Sequence, residues 1–199
     1  MLRLELKIID LMSRNPEKRF TINEIAKTLN ETYSFVNRVV NKLIKDKVII
    51  KEKIGKACLC SLNLKSDKAI ALLHLNEVNK TEEFYKKNKE MKLILEDFIE
   101  KLKTKFKENI ISVVLFGSYA KGTATKESDI DILIICKKKI EITSIIRETY
   151  AQYEKEIVSI LMSLTEFKKQ KEKPIIKEIV RYHYILFGFE EFIKILYRK

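Results

Sequence analysis

The chain of 199 residues carries 40 Lys and Arg against 28 Asp and Glu, a formal net charge of +12, and is 46% hydrophobic with only 4 Gly and 2 Pro. That composition excludes disorder, collagen and a disulfide miniprotein, and it leaves enough apolar side chain for one large core or two small ones. Its apolar runs, such as 48–50, 113–116 and 132–136, stop well short of the roughly 20 residues needed to cross a bilayer. The opening residues alternate charge with Leu and do not read as a secretory signal, so a soluble protein of the reducing cytoplasm, without a membrane partner, is expected. Cys58, Cys60, Cys136, His74 and His183 lack the spacing of a disulfide framework or a zinc site and read as small apolar fillers and ordinary half-buried histidines.

The basic excess is uneven: residues 1–66 carry 14 basic and 7 acidic groups, net +7, against +4 over 110–199. A basic excess on a small domain concentrates phosphate and suggests nucleic acid. Leu2, Leu6, Ile9 and Met12, with Leu4 and Leu11 beside them, predict a first helix ending near Asn15-Pro16. Thr21 and Glu24 have capping-box spacing ahead of a second, short helix whose inward set is Ile22, Ile25, Ala26 and Leu29. Thr32 starts a third, with Val36, Val39, Val40 and Leu43 buried and Tyr33, Ser34, Asn37, Arg38, Asn41, Lys42 and Lys45 on the other face. Phosphate and base-edge partners on one side of a helix are what major-groove docking requires. Two strands over 48–53 and 57–62, joined by a basic turn at Gly55-Lys56, follow. Three helices and a β-hairpin resemble the winged helix-turn-helix domains of prokaryotic transcription regulators. The resemblance covers residues 1–65 and implies duplex DNA binding through Tyr33, Ser34, Asn37, Arg38, Asn41, Lys42 and Lys56. Protein docking is the other use of such a domain.

Residues 66–109 read as a helical linker, with Ser66-Asp67 capping a helix over 68–78 and Thr81 starting a second whose inward set is Phe84, Met91, Ile94, Leu95, Phe98 and Leu102, and offering a seam for a homodimer.

The chemistry is concentrated after residue 109. The β-branched run 110–116 stops at Gly117-Ser118, a short turn or helix follows, and a second apolar run, 130–136, begins inside Ser128-Asp129-Ile130-Asp131. On a strand, Asp129 and Asp131 share one face. Adjacent carboxylates repel unless a cation joins them, and hard oxygen ligands suit Mg²⁺ or Mn²⁺. Gly117 lets the backbone approach a phosphate, and the N–H groups of the next turn, with the Ser118 hydroxyl, suit phosphate oxygens.

The run Leu115-Phe116-Gly117-Ser118-Tyr119-Ala120-Lys121-Gly122, continuing through Ser128-Asp129-Ile130-Asp131 to Ile134, closely resembles the signature of the minimal nucleotidyltransferases of the DNA polymerase β superfamily. The resemblance implies an α/β (α+β) fold for 110–199, a mixed sheet flanked by helices, after the winged helix of 1–65 and the linker of 66–109. It implies Gly117 and Ser118 as the triphosphate turn, Lys121 and Ser128 as further nucleotide contacts, and Asp129 and Asp131 as ligands for Mg²⁺ or Mn²⁺. The reaction implied is transfer of a nucleoside monophosphate from an NTP, with pyrophosphate leaving. The family pattern asks for a third carboxylate on a later strand. That strand, expected over 156–163 after a helix over 141–153, offers Glu156 at its start and Ser159 in the place of the aspartate. In the tail, Thr165 or Ser163 caps a helix, and Ile175, Ile176, Ile179, Tyr182 and Leu186 are expected as core against the sheet.

Two functions remain open from sequence. One is an NTP-dependent nucleotidyltransferase acting on a hydroxyl of a protein, RNA or small molecule. The other is a DNA-binding regulator whose impaired transferase-like domain senses a nucleotide. The intact Gly-Ser and Asp-x-Asp favour the first, and the absent third aspartate favours the second.

Overall fold

The computed structural model describes residues 2–197 and divides into two compact units, one built from the chain up to Asn76 together with its end from Leu196, the other from Glu77–Ile195.

In the first unit, α1 (Leu2–Ser13), α2 (Ile22–Leu29) and α3 (Tyr33–Lys45) precede an antiparallel hairpin of β1 (Ile49–Ile54) and β2 (Ala57–Leu62). The capping box is present in both directions: the Glu24 N–H donates to Thr21 Oγ1 and the Thr21 N–H donates to the Glu24 carboxylate. Val36, Val39, Val40 and Leu43 of α3 are buried, as their spacing requires. α1 departs from expectation. Its buried face is Leu4, Ile8, Ile9 and Met12, while Leu2 is exposed, and Glu5 lies buried between them. The reason is a partner 37 residues away: Lys42 Nζ donates to Glu5 Oε1 at 2.6 Å, so burying Glu5 leaves no lone charge. Phe20 extends the hairpin by exchanging backbone hydrogen bonds with Cys60 at 2.9 and 2.7 Å, which buries Cys60 while Cys58, nearer the turn, is exposed.

The second unit begins inside α4 (Asp67–Lys87) and continues through α5 (Lys89–Phe106), β3 (Ile110–Leu115), α6 (Gly117–Lys121), β4 (Ile130–Cys136), α7 (Thr143–Tyr153), β5 (Ile157–Ser163), α8 (Leu164–Lys169), α9 (Pro174–Arg181), β6 (Tyr184–Phe187) and into α10 (Phe189–Tyr197). The sheet order is β5-β4-β3-β6, with β4 and β5 parallel and the other pairs antiparallel. One face of the sheet, with Val113, Leu115, Ile130, Ile132, Ile134 and Ile157, forms a continuous core with α5 and α7. Residues expected as a linker therefore supply core: Phe84, Met91, Ile94, Leu95, Phe98 and Leu102 are all buried in that cluster. The second unit starts at Glu77, within the segment read as connection.

The tail differs most from expectation. Ile176 and Ile179 of α9 are buried, but Ile175 and Tyr182 are exposed, and the helix ends at Tyr182 in extended backbone. Leu186 sits on β6, an unforeseen strand that pairs with β3. Gly188 lets the chain leave β6: its φ is +73°, and a Cβ there would lie 2.0 Å from the Ile111 carbonyl oxygen. Ser163, not Thr165, caps α8, in a second capping box with Glu166.

His183 is buried rather than half-buried. Its Nε2 lies 3.3 Å from Glu77 Oε2, and its Nδ1 faces the carbonyls of Ile179 and Val180 at 2.9 and 3.1 Å. Both ring nitrogens thus have acceptors within hydrogen-bond range. Lys80 Nζ adds two bonds to the same carboxylate at 2.8 and 2.9 Å. Burial by itself pushes the Glu77 carboxyl up, but the charges and hydrogen bonds of His183 and Lys80 outweigh it and hold the group at about 2, below the usual 4.5. A depressed carboxyl contributes stability that is complete above its unfolded value and is lost as pH falls through its folded one. Urea titrations should therefore show wild type losing about 3 kcal/mol more than Glu77→Gln between pH 4.5 and 2. Parallel curves through that window would show that the network carries no such linkage.

Candidate active site

β4 supplies the carboxylates. Asp129 is exposed immediately before the strand and Asp131 is half-buried at its second position, with Ile130 turned into the α5 core between them. The alternation of the strand thus puts both carboxylates on the face opposite that core. Across from them β3 ends and the chain enters α6 at Gly117, whose φ is +69°. The closeness of this crossing is measured by a Cβ placed on Gly117, which would lie 1.8 Å from Asp131 Oδ2. The Asp131 carboxylate accepts the Ser118 N–H, and the Phe116 N–H donates to the Asp131 carbonyl at 3.0 Å. Burial, the Asp129 charge and, least, the Glu178 charge raise the Asp131 carboxyl, while the Ser118 N–H and Lys121 pull it down. Two like charges on one strand face, partly withdrawn from water, make a site where a cation is favourable.

Lys121, at the end of α6, reaches α9: its Nζ lies 2.6 Å from Glu178 Oε1. Ser128 is engaged locally, accepting the Thr125 N–H at 2.9 Å and lying 3.3 Å from Thr125 Oγ1, so it shapes the loop before β4. Lys155, just ahead of β5, donates to the Lys126 carbonyl and ties down the same loop.

The register of β5 revises the third-carboxylate reading. Ser159 pairs with Ile132, and Val158 with Asp131. Paired residues of neighbouring strands point to the same side, so Ser159 faces the α5 core and the place beside Asp131 belongs to Val158, which is 41% exposed. Glu156 stands one residue before β5, where its carbonyl accepts the Ile130 N–H at 2.9 Å, level with Asp129 and on the Val158 side by alternation. Among the described residues no group of three or more Asp, Glu, His or Cys is gathered at metal-binding range. The acidic residue that sequence reasoning missed is Glu178, which no motif marks and which only the packing of α9 brings to Lys121.

In the first unit Tyr33, Ser34, Arg38, Asn41, Lys42 and Lys56 are exposed, and Asn37 is half-buried, accepting from Asn41 Nδ2 at 3.0 Å. Arg38 lies over the Phe35 ring, 5.2 Å from its centroid. Lys42 is not a free cation on this face, because its ammonium is held by Glu5. No described helix is long and apolar enough to cross a membrane.

A Gly-Ser turn locked against an Asp-x-Asp strand, on a mixed sheet flanked by helices, is the arrangement of a nucleotidyltransferase. Residues 95–188 match the family described as "Nucleotidyltransferase domain". The chain is 34% identical over 109 residues to "Putative protein adenylyltransferase MJ1305" of Methanocaldococcus jannaschii, covering 51% of this chain and 74% of that protein. It is 33% identical over 95 residues to "Putative protein adenylyltransferase MJ0141" of the same organism, covering 45% of this chain and 91% of that one. A solved toxin-antitoxin structure with AMP-PNP overlaps 51% of this chain and 79% of its own at 20% identity, with a TM-score of 0.39, too low to bear on the site. The chain belongs to the nucleotidyltransferase domain family.

Proposed function

We propose that the protein transfers a nucleoside monophosphate, AMP in the first instance, from an NTP to a hydroxyl of a protein. The observation that carries this reading is the contact of Gly117 and Ser118 with Asp131, which joins a phosphate-binding turn to the carboxylate pair. The adenylyl group and the protein acceptor are suggested by the names of the two M. jannaschii relatives.

Asp129 and Asp131 would hold a divalent cation such as Mg²⁺, whose preference for hard oxygen ligands their carboxylates meet. Such an ion supplies charge stabilisation for the attacking and leaving oxygens. The residues of the chain do the rest. The turn at Gly117 and Ser118 orients the triphosphate so that the acceptor oxygen meets the α-phosphorus in line with the departing pyrophosphate. A P–O bond forms to the acceptor as the bond to pyrophosphate breaks, and the hydroxyl proton must leave. Glu156 is the acidic residue that the β5 register places on the side of the pair, and we assign it that proton. Glu156→Gln should then lower kcat about 10²- to 10⁴-fold and leave NTP affinity nearly unchanged. Undiminished turnover would show that Asp129 and Asp131 suffice. The overall reading is tested by incubating the full chain with labelled ATP, Mg²⁺ or Mn²⁺ and cell lysate: label should appear on protein.

The first unit, in this proposal, is a winged helix that brings the transferase to duplex DNA. Its support is the polar face of α3 with Lys56 at the hairpin turn. Because Glu5 already neutralises Lys42, the phosphate contacts fall to Arg38 and Lys56. The log-log salt slope of duplex binding by the full chain should drop by about 1 in Arg38→Ala and in Lys56→Ala, and by less in Lys42→Ala. Binding without salt dependence would replace DNA by a protein partner.

The second reading, a nucleotide-sensing regulator without turnover, is favoured by one observation, the apolar Val158 beside Asp131. It predicts metal-dependent ATP binding with no transfer to any lysate protein.

A further inference from the structure

The Lys121 ammonium has two sets of acceptors within reach of its flexible stem. One is Glu178, at 2.6 Å, and the other is the carboxylate pair, because Lys121 closes the five-residue helix whose first residue, Gly117, lies against the Asp131 carboxylate. An ammonium offers only donors. Settled on Asp129 and Asp131, it would satisfy the lone pairs that a divalent ion needs, and cation would compete with cation for one place. What holds it away is the placement of Glu178. That residue stands on α9 beside Ile179, which with Ile176 is fully buried, so the carboxylate is carried by a helix anchored in the core rather than by a loop. Lys121 in turn sits at the end of a five-residue helix whose other end is locked to Asp131 through Gly117.

We infer that Glu178 is a positioning residue for the metal site: by holding the Lys121 ammonium on α9 it keeps the Asp129 and Asp131 carboxylates open to a divalent ion. This rests on the metal-site reading above. Glu178 is placed to act through Lys121; its own charge, which also bears on Asp131, is a smaller direct effect. Loss of its charge releases the lysine onto the pair, and the lysine then behaves as an internal competitor of the metal. Loss of the lysine leaves Glu178 only its smaller direct effect.

The test is a double-mutant cycle on the full chain, with Mn²⁺ binding read by electron paramagnetic resonance of the free ion, without nucleotide. Glu178→Gln should weaken Mn²⁺ about fivefold, the scale of one partly exposed ion pair. In a Lys121→Met background the same change should have a much smaller effect, the direct action of the Glu178 charge on Asp131 alone. An equal loss in both backgrounds would make Glu178 a direct electrostatic contributor and overturn the inference, as would unchanged binding in Glu178→Gln. A crystal structure of metal-free Glu178→Gln gives an independent arm. The ammonium should lie within about 4 Å of Asp129 or Asp131, and an ammonium elsewhere overturns the inference. Failure of wild type to bind Mn²⁺, with Asp131→Asn no different, would instead overturn the metal-site reading, while the crystal structure still decides where Lys121 goes.

Discussion

Gly117→Ala is expected to abolish transfer and nucleotide binding together, by at least about 10²-fold, because a displacement near 1 Å in a positioned site is already of that order. Two independent costs converge on one methyl group. The backbone at Gly117 is left-handed, φ +69°, which an L side chain adopts at a penalty of about 1–2 kcal/mol. The added carbon would also lie 1.8 Å from Asp131 Oδ2, inside any non-bonded distance. The turn, the Asp131 side chain or both must move, and the Ser118 N–H bond to Asp131 is lost with them. A melting curve would show modest destabilisation, since the α5 core lies on the other face of the sheet. Calorimetry with ATP and Mg²⁺ would show no binding. Wild-type affinity in this variant would mean that the turn does not hold the triphosphate.

Asp131→Asn should separate function from stability in the opposite direction. Removing one carboxylate from a pair that would hold the cation neutralising the triphosphate should cost several kcal/mol of transition-state stabilisation, about 10²- to 10³-fold in kcat, with Asp129→Asn comparable. Yet the metal-free variant should be at least as stable as wild type. Burial and the neighbouring Asp129 charge disfavour the ionised Asp131 carboxyl, so a neutral side chain relieves both. The asparagine oxygen can still accept the Ser118 N–H, so the crossing of α6 over β4 stays intact. Thermal melts without metal and ATP calorimetry with it, on the same two variants, check the pair of expectations. Unchanged ATP affinity in both would end the assignment of the carboxylate pair.

The contrast between the two variants shows where local and tertiary information divide. The capping box of Thr21 and Glu24, the buried stripe of α3, and the strands around Asp129 and Asp131 depend on spacing over three to eight residues, so side-chain period and turn chemistry specify them without the rest of the chain. The Gly-Ser and Asp-x-Asp resemblance lies in the same local register. Other features depend on partners far apart in sequence. Glu5 can be buried beside Leu4, Ile8, Ile9 and Met12 because Lys42, 37 residues on, meets its carboxylate. Ser159 leaves the site because parallel pairing matches it to Ile132, and a one-residue difference in register turns a side chain to the other face. Glu77 and His183, over 100 residues apart, are unremarkable in their own helical patterns and become a buried polar contact only when α4 and the turn after α9 pack together. Glu178 belongs to this second group. Its own helix shows it as one more charged residue beside an apolar stripe, and only the packing that brings α9 to α6 gives its carboxylate Lys121 to hold.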